Sequence, residues 1–146
     1  MRSDSIKWAA LVPEFVVSDL ASSLQFWCDY IGFEVMYDRK EEHFAYLGMG
    51  EAQVMLEQYN PADREWETGV MEKPYGRGIN FQIEVNAIAP ILKRLQEAKY
   101  NVFIDVEERW YRVEDVEFGQ KQFLVQDPDG YLLRLIENLG ERKLAE

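Results

Sequence analysis

Apolar and polar positions along the chain run twice through the same order. Leu11–Val17 is mostly apolar with Pro13 near its start, and proline brings no backbone donor, so the segment reads as a strand at a sheet edge. Ser18 or Asp19 can cap a following helix. In that helix Leu20, Leu24, Trp27 and Ile31 recur at helical spacing and bury one face. Gly32 ends it in the left-handed position that glycine adopts without strain. Three short strands follow at Phe33–Asp38, Phe44–Met49 and Gln53–Gln58, with Gly48 and Gly50 marking a tight turn.

A polar stretch, Tyr59–Gly78, then interrupts the pattern with two prolines, three glycines and mixed charges. It is long for a loop in a compact domain, and such loops commonly link or bind. The order then restarts. Ile79–Val85 predicts a strand, Asn86 a cap, and Ile88, Ile91, Leu92 and Leu95 a helix face that Tyr100-Asn101 closes. Strands are expected at Val102–Val106, Arg109–Val113, Lys121–Gln126 and Tyr131–Ile136, the last after the turn signal Asp127-Pro128-Asp129-Gly130. Laying Val12 on Asn80 superposes Phe15 on Ile83, Val17 on Val85 and Leu20 on Ile88, which indicates an internal duplication. The expected fold is α+β: two tandem βαβββ modules forming cupped mixed sheets. It would be a single domain, with module one at 9–58, a linking loop at 59–78, module two at 79–137 and a C-terminal tail at 138–146.

Composition narrows the function. The 146 residues carry 27 acidic and 16 basic side chains, a formal net charge of −11. Phosphate backbones repel such a surface, so no nucleic-acid partner is expected, whereas cationic ligands would be attracted. Ordinary solubility accounts for the charge equally well. Cys28 is the one cysteine, so no internal disulfide can form, and among Leu24, Phe26, Trp27 and Ile31 it reads as a structural thiol. His43, the one histidine, lies in a polar stretch without a partner for nucleophilic catalysis. The polar Met1–Lys7 does not read as a signal peptide, and no apolar run reaches membrane length. A cytoplasmic protein without a membrane partner is expected.

Particular strings carry a resemblance. Val17-Ser18-Asp19-Leu20, Phe26-Trp27 and Ile31-Gly32-Phe33 resemble the first helix and flanks of the vicinal-oxygen-chelate superfamily of glyoxalases, bleomycin-resistance proteins and extradiol dioxygenases. The run Gln126 to Glu137, beginning Gln126-Asp127-Pro128-Asp129-Gly130-Tyr131, is similar to that superfamily's closing turn and strand. The likeness spans about residues 10 to 139, and the closing run is its most specific part. Val54-Met55-Leu56-Glu57, Gln122-Phe123-Leu124-Val125 and Leu132-Leu133-Arg134-Leu135-Ile136 look most like bleomycin-resistance proteins. Pro13 matches a proline that in that group accompanies exchange of an arm between subunits, and Trp8 would then pack on the partner.

The resemblance implies a test. Enzymes of the superfamily hold one divalent metal with two side chains from each module, and carried over, the four places fall on Val12, Glu57, Asn80 and Arg134. Valine offers no donor, a guanidinium has no lone pair and repels a cation, and an amide is a weak ligand. No metal, no cofactor and no catalytic residue is therefore expected. Glu57 and Arg134 would lie at the base of the remaining concavity, paired with each other or hydrogen-bonded to a polar ligand. Trp66, Trp110, Tyr111, Tyr46 and Tyr59 are the candidate aromatic walls, with Asn80 beside them.

The resemblance then implies a binder that sequesters bleomycin or a similar cationic aromatic compound in a metal-free cleft at the interface of a homodimer. An enzyme of the same superfamily would need at least three good ligands at those four places. A binder of a different physiological molecule, or an interaction protein whose cleft is filled by side chains, would share the same fold.

Overall fold

The computed structural model describes residues 6–63 and 66–144. Met1–Ser5 of the polar N-terminus and the last two residues of the expected tail lie outside the described residues. The chain divides into two compact units, Met1–Tyr75 and Gly76–Glu146, so the division falls inside the stretch read as a linking loop.

The first unit is a four-stranded sheet with helix on one face. Its strands are β1 (Glu14–Val17), β2 (Glu34–Arg39), β3 (Phe44–Met49) and β4 (Ala52–Gln58), in the order β1-β4-β3-β2. Strand β1 runs parallel to β4 and the other neighbours are antiparallel. Helix α1 (Leu20–Leu24) is capped by Asp19, whose side chain accepts from the Ser22 N–H, and it continues as a π-helical segment, Gln25–Ile31. The sheet rows Phe15–Leu56–Ala45 and Val54–Leu47 meet the helix, and Phe15, Trp27, Leu47 and Leu56 are buried. The first strand is shorter than the apolar run suggests. Pro13 precedes it, although the Pro13 carbonyl still accepts from Met55 N–H at 2.8 Å.

The second unit repeats that topology with longer strands: β5 (Asn80–Glu84), β6 (Ile104–Val113), β7 (Val116–Gln126) and β8 (Leu132–Lys143), in the order β5-β8-β7-β6. Helix α2 (Ala89–Glu97) buries Ile91 and Leu95 against Ile83, Phe123, Leu133 and Leu135. Four expectations change here. The two strands expected at Val102–Val106 and Arg109–Val113 are one strand, β6, with an irregularity between Ile104 and Glu107. Strand β7 begins at Val116, five residues before the expected Lys121, across a hairpin in which Val113 faces Val116 and Glu114 takes a φ of 57°. Strand β8 runs six residues beyond the expected end of module two at 137, paired with β7 as far as Lys143 opposite Val116. Asn86 is not the helix cap. The Ile88 N–H at that end is instead satisfied by Glu137 Oε1 at 3.0 Å. A carboxylate at a helix N-terminus meets both the orphan donor and the dipole.

Both units are therefore a sheet with one helix-covered face and one open face. Side chains alternate between the two faces along every strand. Among the described residues, no helix is long and apolar enough to cross a membrane.

Candidate functional site

The ladder registers decide which side chains share an open face. In the first unit one row across the sheet is Glu14–Met55–Tyr46–Tyr37 and the next is Val16–Glu57–Phe44–Arg39. In the second unit the equivalent rows are Gln82–Arg134–Leu124–Ile104 and Glu84–Ile136–Gln122–Glu107. The equivalence follows from Phe15 opposite Leu56 and Ile83 opposite Leu135, the buried rows between them. The duplication thus holds at the level of register, and it moves one position. Met55, not Glu57, is the counterpart of Arg134, and Glu57 corresponds to Ile136. The sequence alignment placed β4 one row too far along.

On the first unit's open face, Tyr37 and Tyr46 are stacked at 5.1 Å between centroids, and Trp8 stands edge-on to both at 5.8 and 5.1 Å. Gln53 fastens this N-terminal arm. Its Oε1 accepts from Ala9 N–H and from Tyr46 Oη–H, and its Nε2 donates to the Lys7 carbonyl. Trp8, expected on a partner subunit, packs on its own unit's sheet. Tyr46, a candidate wall, is buried beneath it. Tyr37 and Gln53 were not singled out from the sequence, but Tyr37, Arg39 and Tyr46 occupy alternate strand positions on one face, which is the signal that finds them.

Farther along the same face Glu57 opens into a cleft of about 630 Å³, lined with Glu41, Glu42, His43, Tyr59 and Asp63 among others. Burial, and then the charges of Glu14, Asp63 and Glu42, raise the Glu57 pKa above the ordinary carboxylate value of 4.5, against the pull of Arg39. Burial likewise raises Glu14. Arg39 itself is committed elsewhere: Nε lies 2.5 Å from Glu42 and its Cζ stands 4.0 Å over the Phe44 ring. Among the described residues, the charges acting on Glu57 come from its own unit. A carboxyl whose folded pKa is raised favours the folded state when protonated. That contribution is fully present below about pH 4.5 and is lost as pH rises through the folded value. Glu57→Gln should therefore raise Tm at pH 7, and the gain should shrink to nothing as pH falls toward 4.5, in paired thermal melts from pH 4 to 7.

On the second unit's open face Arg134 projects between Gln82 and Leu124. Its Nε is buried without a hydrogen-bond partner, and among the described residues no hydrogen bond or ion pair engages the guanidinium. One row away, buried Gln122 has both ends of its amide engaged. Its Oε1 accepts from Tyr111 Oη–H at 3.1 Å and Gln120 Nε2 at 2.8 Å, while its Nε2 donates to Glu107 at 2.9 Å. Sequence reading passed over Gln122 because a glutamine in an apolar strand gives no motif. Asn80 lies at the exposed start of β5, opposite Leu132.

The remaining candidates separate. Trp110 and Tyr111 are neighbours on one strand and so face opposite sides; Tyr111 shares the face of Gln122 and Arg134. The Trp110 ring lies on Gly119, where an added Cβ would come within 2.6 Å of it, with Arg142 Cζ 4.0 Å above and Nε1 donating to Glu108. That ring is taken up by packing within its own unit. Trp66 is 75% exposed and Tyr59 borders the Glu57 cleft. Cys28 is part-buried, and burial followed by the Asp29 charge raises its pKa, which suits an inert thiol.

A sheet with one open face, repeated with the same strand order, is the architecture of small-molecule proteins built from two βαβββ modules. The family model for the glyoxalase/bleomycin resistance protein/dioxygenase superfamily matches residues 6–135, and the chain belongs to that superfamily. It is 36% identical to a superfamily member from Vibrio splendidus 12B01, over 86% of this chain and 95% of that one, with a TM-score of 0.40. TioX from Micromonospora sp. ML1 is 17% identical with a TM-score of 0.67, covering 90% of this chain and all of that one (100%). A virulence protein from Salmonella typhimurium is 19% identical with a TM-score of 0.61, over 94% and 98% of the two chains. A search of curated proteins finds no match.

The superfamily's enzymes imply a divalent metal, and the donor set here does not fit one. Val12 has no lone pair, register puts the Met55 thioether rather than Glu57 at the second place, Asn80 is a neutral amide and Arg134 a cation. Among the described residues no three His, Cys, Asp or Glu side chains converge as a ligand group.

Proposed function

We propose that this protein binds and sequesters a cationic, aromatic small molecule without transforming it, in the manner of bleomycin-resistance proteins, and does so as a cytoplasmic homodimer. The observation that carries the reading is the Glu57 cleft. Glu57 sits among Glu14, Glu42 and Asp63, and among the described residues the cation acting on it, Arg39, is held by Glu42 and Phe44. Such a carboxylate is poorly compensated, and a bound cation would offset the burial and, after it, the repulsion that raise its pKa. Tyr59 on the rim offers a ring face to a planar or cationic group. The chain's charge of −11 adds long-range attraction for the same class of ligand. The poor donor set at the superfamily's metal positions favours binding over metal-assisted chemistry.

The test is a titration of metal-stripped protein with metal-free bleomycin, following tryptophan fluorescence and heat, with a divalent-metal titration alongside. Saturable drug binding near one site per chain, weakened by Glu57→Gln and by added salt, is the expected result. Tight metal uptake without drug binding would return the protein to the superfamily's enzymes.

A further inference from the structure

The geometry points to a second recognition element, complete within the other unit: Arg134 is a carboxylate subsite that takes an aromatic acid. This rests on the binding reading above but stands on different residues. Arg134 occupies the centre of an open sheet face, flanked across the ladder by Gln82 and Leu124 and along its own strand by Leu132 and Ile136. Three of those four neighbours are apolar, so the protein itself offers little solvation to the charge. The buried Nε has no hydrogen-bond partner, and no carboxylate among the described residues pairs with the guanidinium, in a chain with 27 acidic side chains.

Among the described residues, the unit's other fully buried side-chain polar atoms have partners. Gln122, one row away, has both ends of its amide engaged, and Arg142 both pairs with Glu117 at 3.1 Å and stacks on Trp110. Arg134 is the exception, and a buried donor left unmade is costly unless something arrives to accept from it. A guanidinium presents Nε–H and one Nη–H side by side, a fork that matches the two oxygens of a carboxylate. Gln82, exposed and in register beside it, adds an amide donor within the same row. Apolar Leu124 and Leu132, both half-buried, suit the ring that bears the carboxylate. Gln122, with both ends of its amide engaged, and Tyr111, whose hydroxyl it holds, would border that ring.

The experiment compares two probes of one shape, sodium 1-naphthoate and the neutral 1-naphthamide, titrated calorimetrically into the full chain, wild type and variants. Naphthoate should bind saturably and at least tenfold more tightly than the amide. Arg134→Met should abolish that preference. Arg134→Lys, which keeps the charge but not the fork, should lose most of it. Removing an unpaired, part-buried charge should leave Tm unchanged or raise it, so Arg134→Met should fold. Equal binding of the two probes, binding of neither, or a preference that survives in Arg134→Met would overturn the assignment. So would a fall in Tm for both variants, because Arg134 would then be holding the fold. Bleomycin binding is read separately: its failure beside intact naphthoate binding refutes the cationic ligand and leaves the carboxylate subsite standing.

Discussion

Replacing Trp27 with alanine should destabilise the protein by about 3–5 kcal/mol, the usual cost of emptying a fully buried aromatic site. Trp27 is 0% exposed and lies against Phe15 at 5.2 Å, Phe33 at 5.3 Å and Phe26 at 6.0 Å between ring centroids. Those contacts join strand β1, the helix and the entry to β2, so the cavity would sit where three elements meet. The surroundings cannot collapse freely into it. The Trp27 carbonyl accepts from both Gly32 N–H and Phe33 N–H, and the π-helical turn fixes the backbone on either side. For a chain of this length, the loss corresponds to a fall in Tm of roughly 6–20 °C. Thermal melts and urea unfolding would measure it, beside Val70→Ala at an 89% exposed loop position, which should change stability by no more than about 0.5 kcal/mol. A Trp27→Ala variant as stable as wild type would mean that this aromatic cluster does not hold the first unit together.

The same helix shows what periodicity could and could not reveal. Trp27 and Ile31 lie on the buried face as expected, whereas Leu20 and Leu24 are half-buried and Ser23 and Phe26 are buried instead; Gly32 ends the helix with a φ of 114°. The π-helical turn left no trace in the pattern, because one extra residue shifts the later positions without breaking the apolar spacing. It explains why an offset of 68, which lays Leu20 on Ile88, lands Gly32 on Tyr100. The left-handed residue ending the second helical segment is Lys99, with φ 56°. Strand ends were harder for a different reason. Glu107-Glu108 fall between the two strands expected at Val102–Val106 and Arg109–Val113, yet a strand tolerates charge on a face that is not core, and β6 continues through them. Glu114-Asp115 is the true turn and carries no glycine or proline to announce it.

The candidate site was legible by residue type and not by register. Arg134 was found because the closing turn anchors its alignment. Glu57 reached the list through an alignment one row out, and it is the cleft around it, not the metal position, that gives it chemistry. Trp110 and Tyr111 are both candidate walls by residue type, although alternation on one strand gives them opposite faces. That separation required no coordinates once β6 was known to be a single strand. Gln53 and Gln122 were missed because amides act through partners distant in sequence, 46 and 15 residues away for their longest side-chain bonds.

Asp127→Ala should cost about 2–5 kcal/mol, because it would strand two backbone donors that one carboxylate now serves. Asp127 is 3% exposed, and its Oδ1 accepts from Asp129 N–H and Tyr131 N–H, each at 2.9 Å. The turn is closed besides by Asp127 N–H to the Tyr131 carbonyl at 2.8 Å and Gly130 N–H to the Asp127 carbonyl at 2.9 Å. These bonds set where β8 begins, and therefore which face each of its side chains takes. A slip of one residue would carry Arg134 to the helix side and Leu133 and Leu135 to the open face. Asp127→Asn keeps an oxygen at the accepting position and should retain more than half of the lost stability. Urea unfolding of the two variants gives the energies. Naphthoate titration of Asp127→Asn gives the functional consequence, since a preserved register should preserve the carboxylate preference assigned to Arg134. Equal losses for alanine and asparagine would show that charge, rather than the two accepted hydrogen bonds, is what the turn requires of this residue.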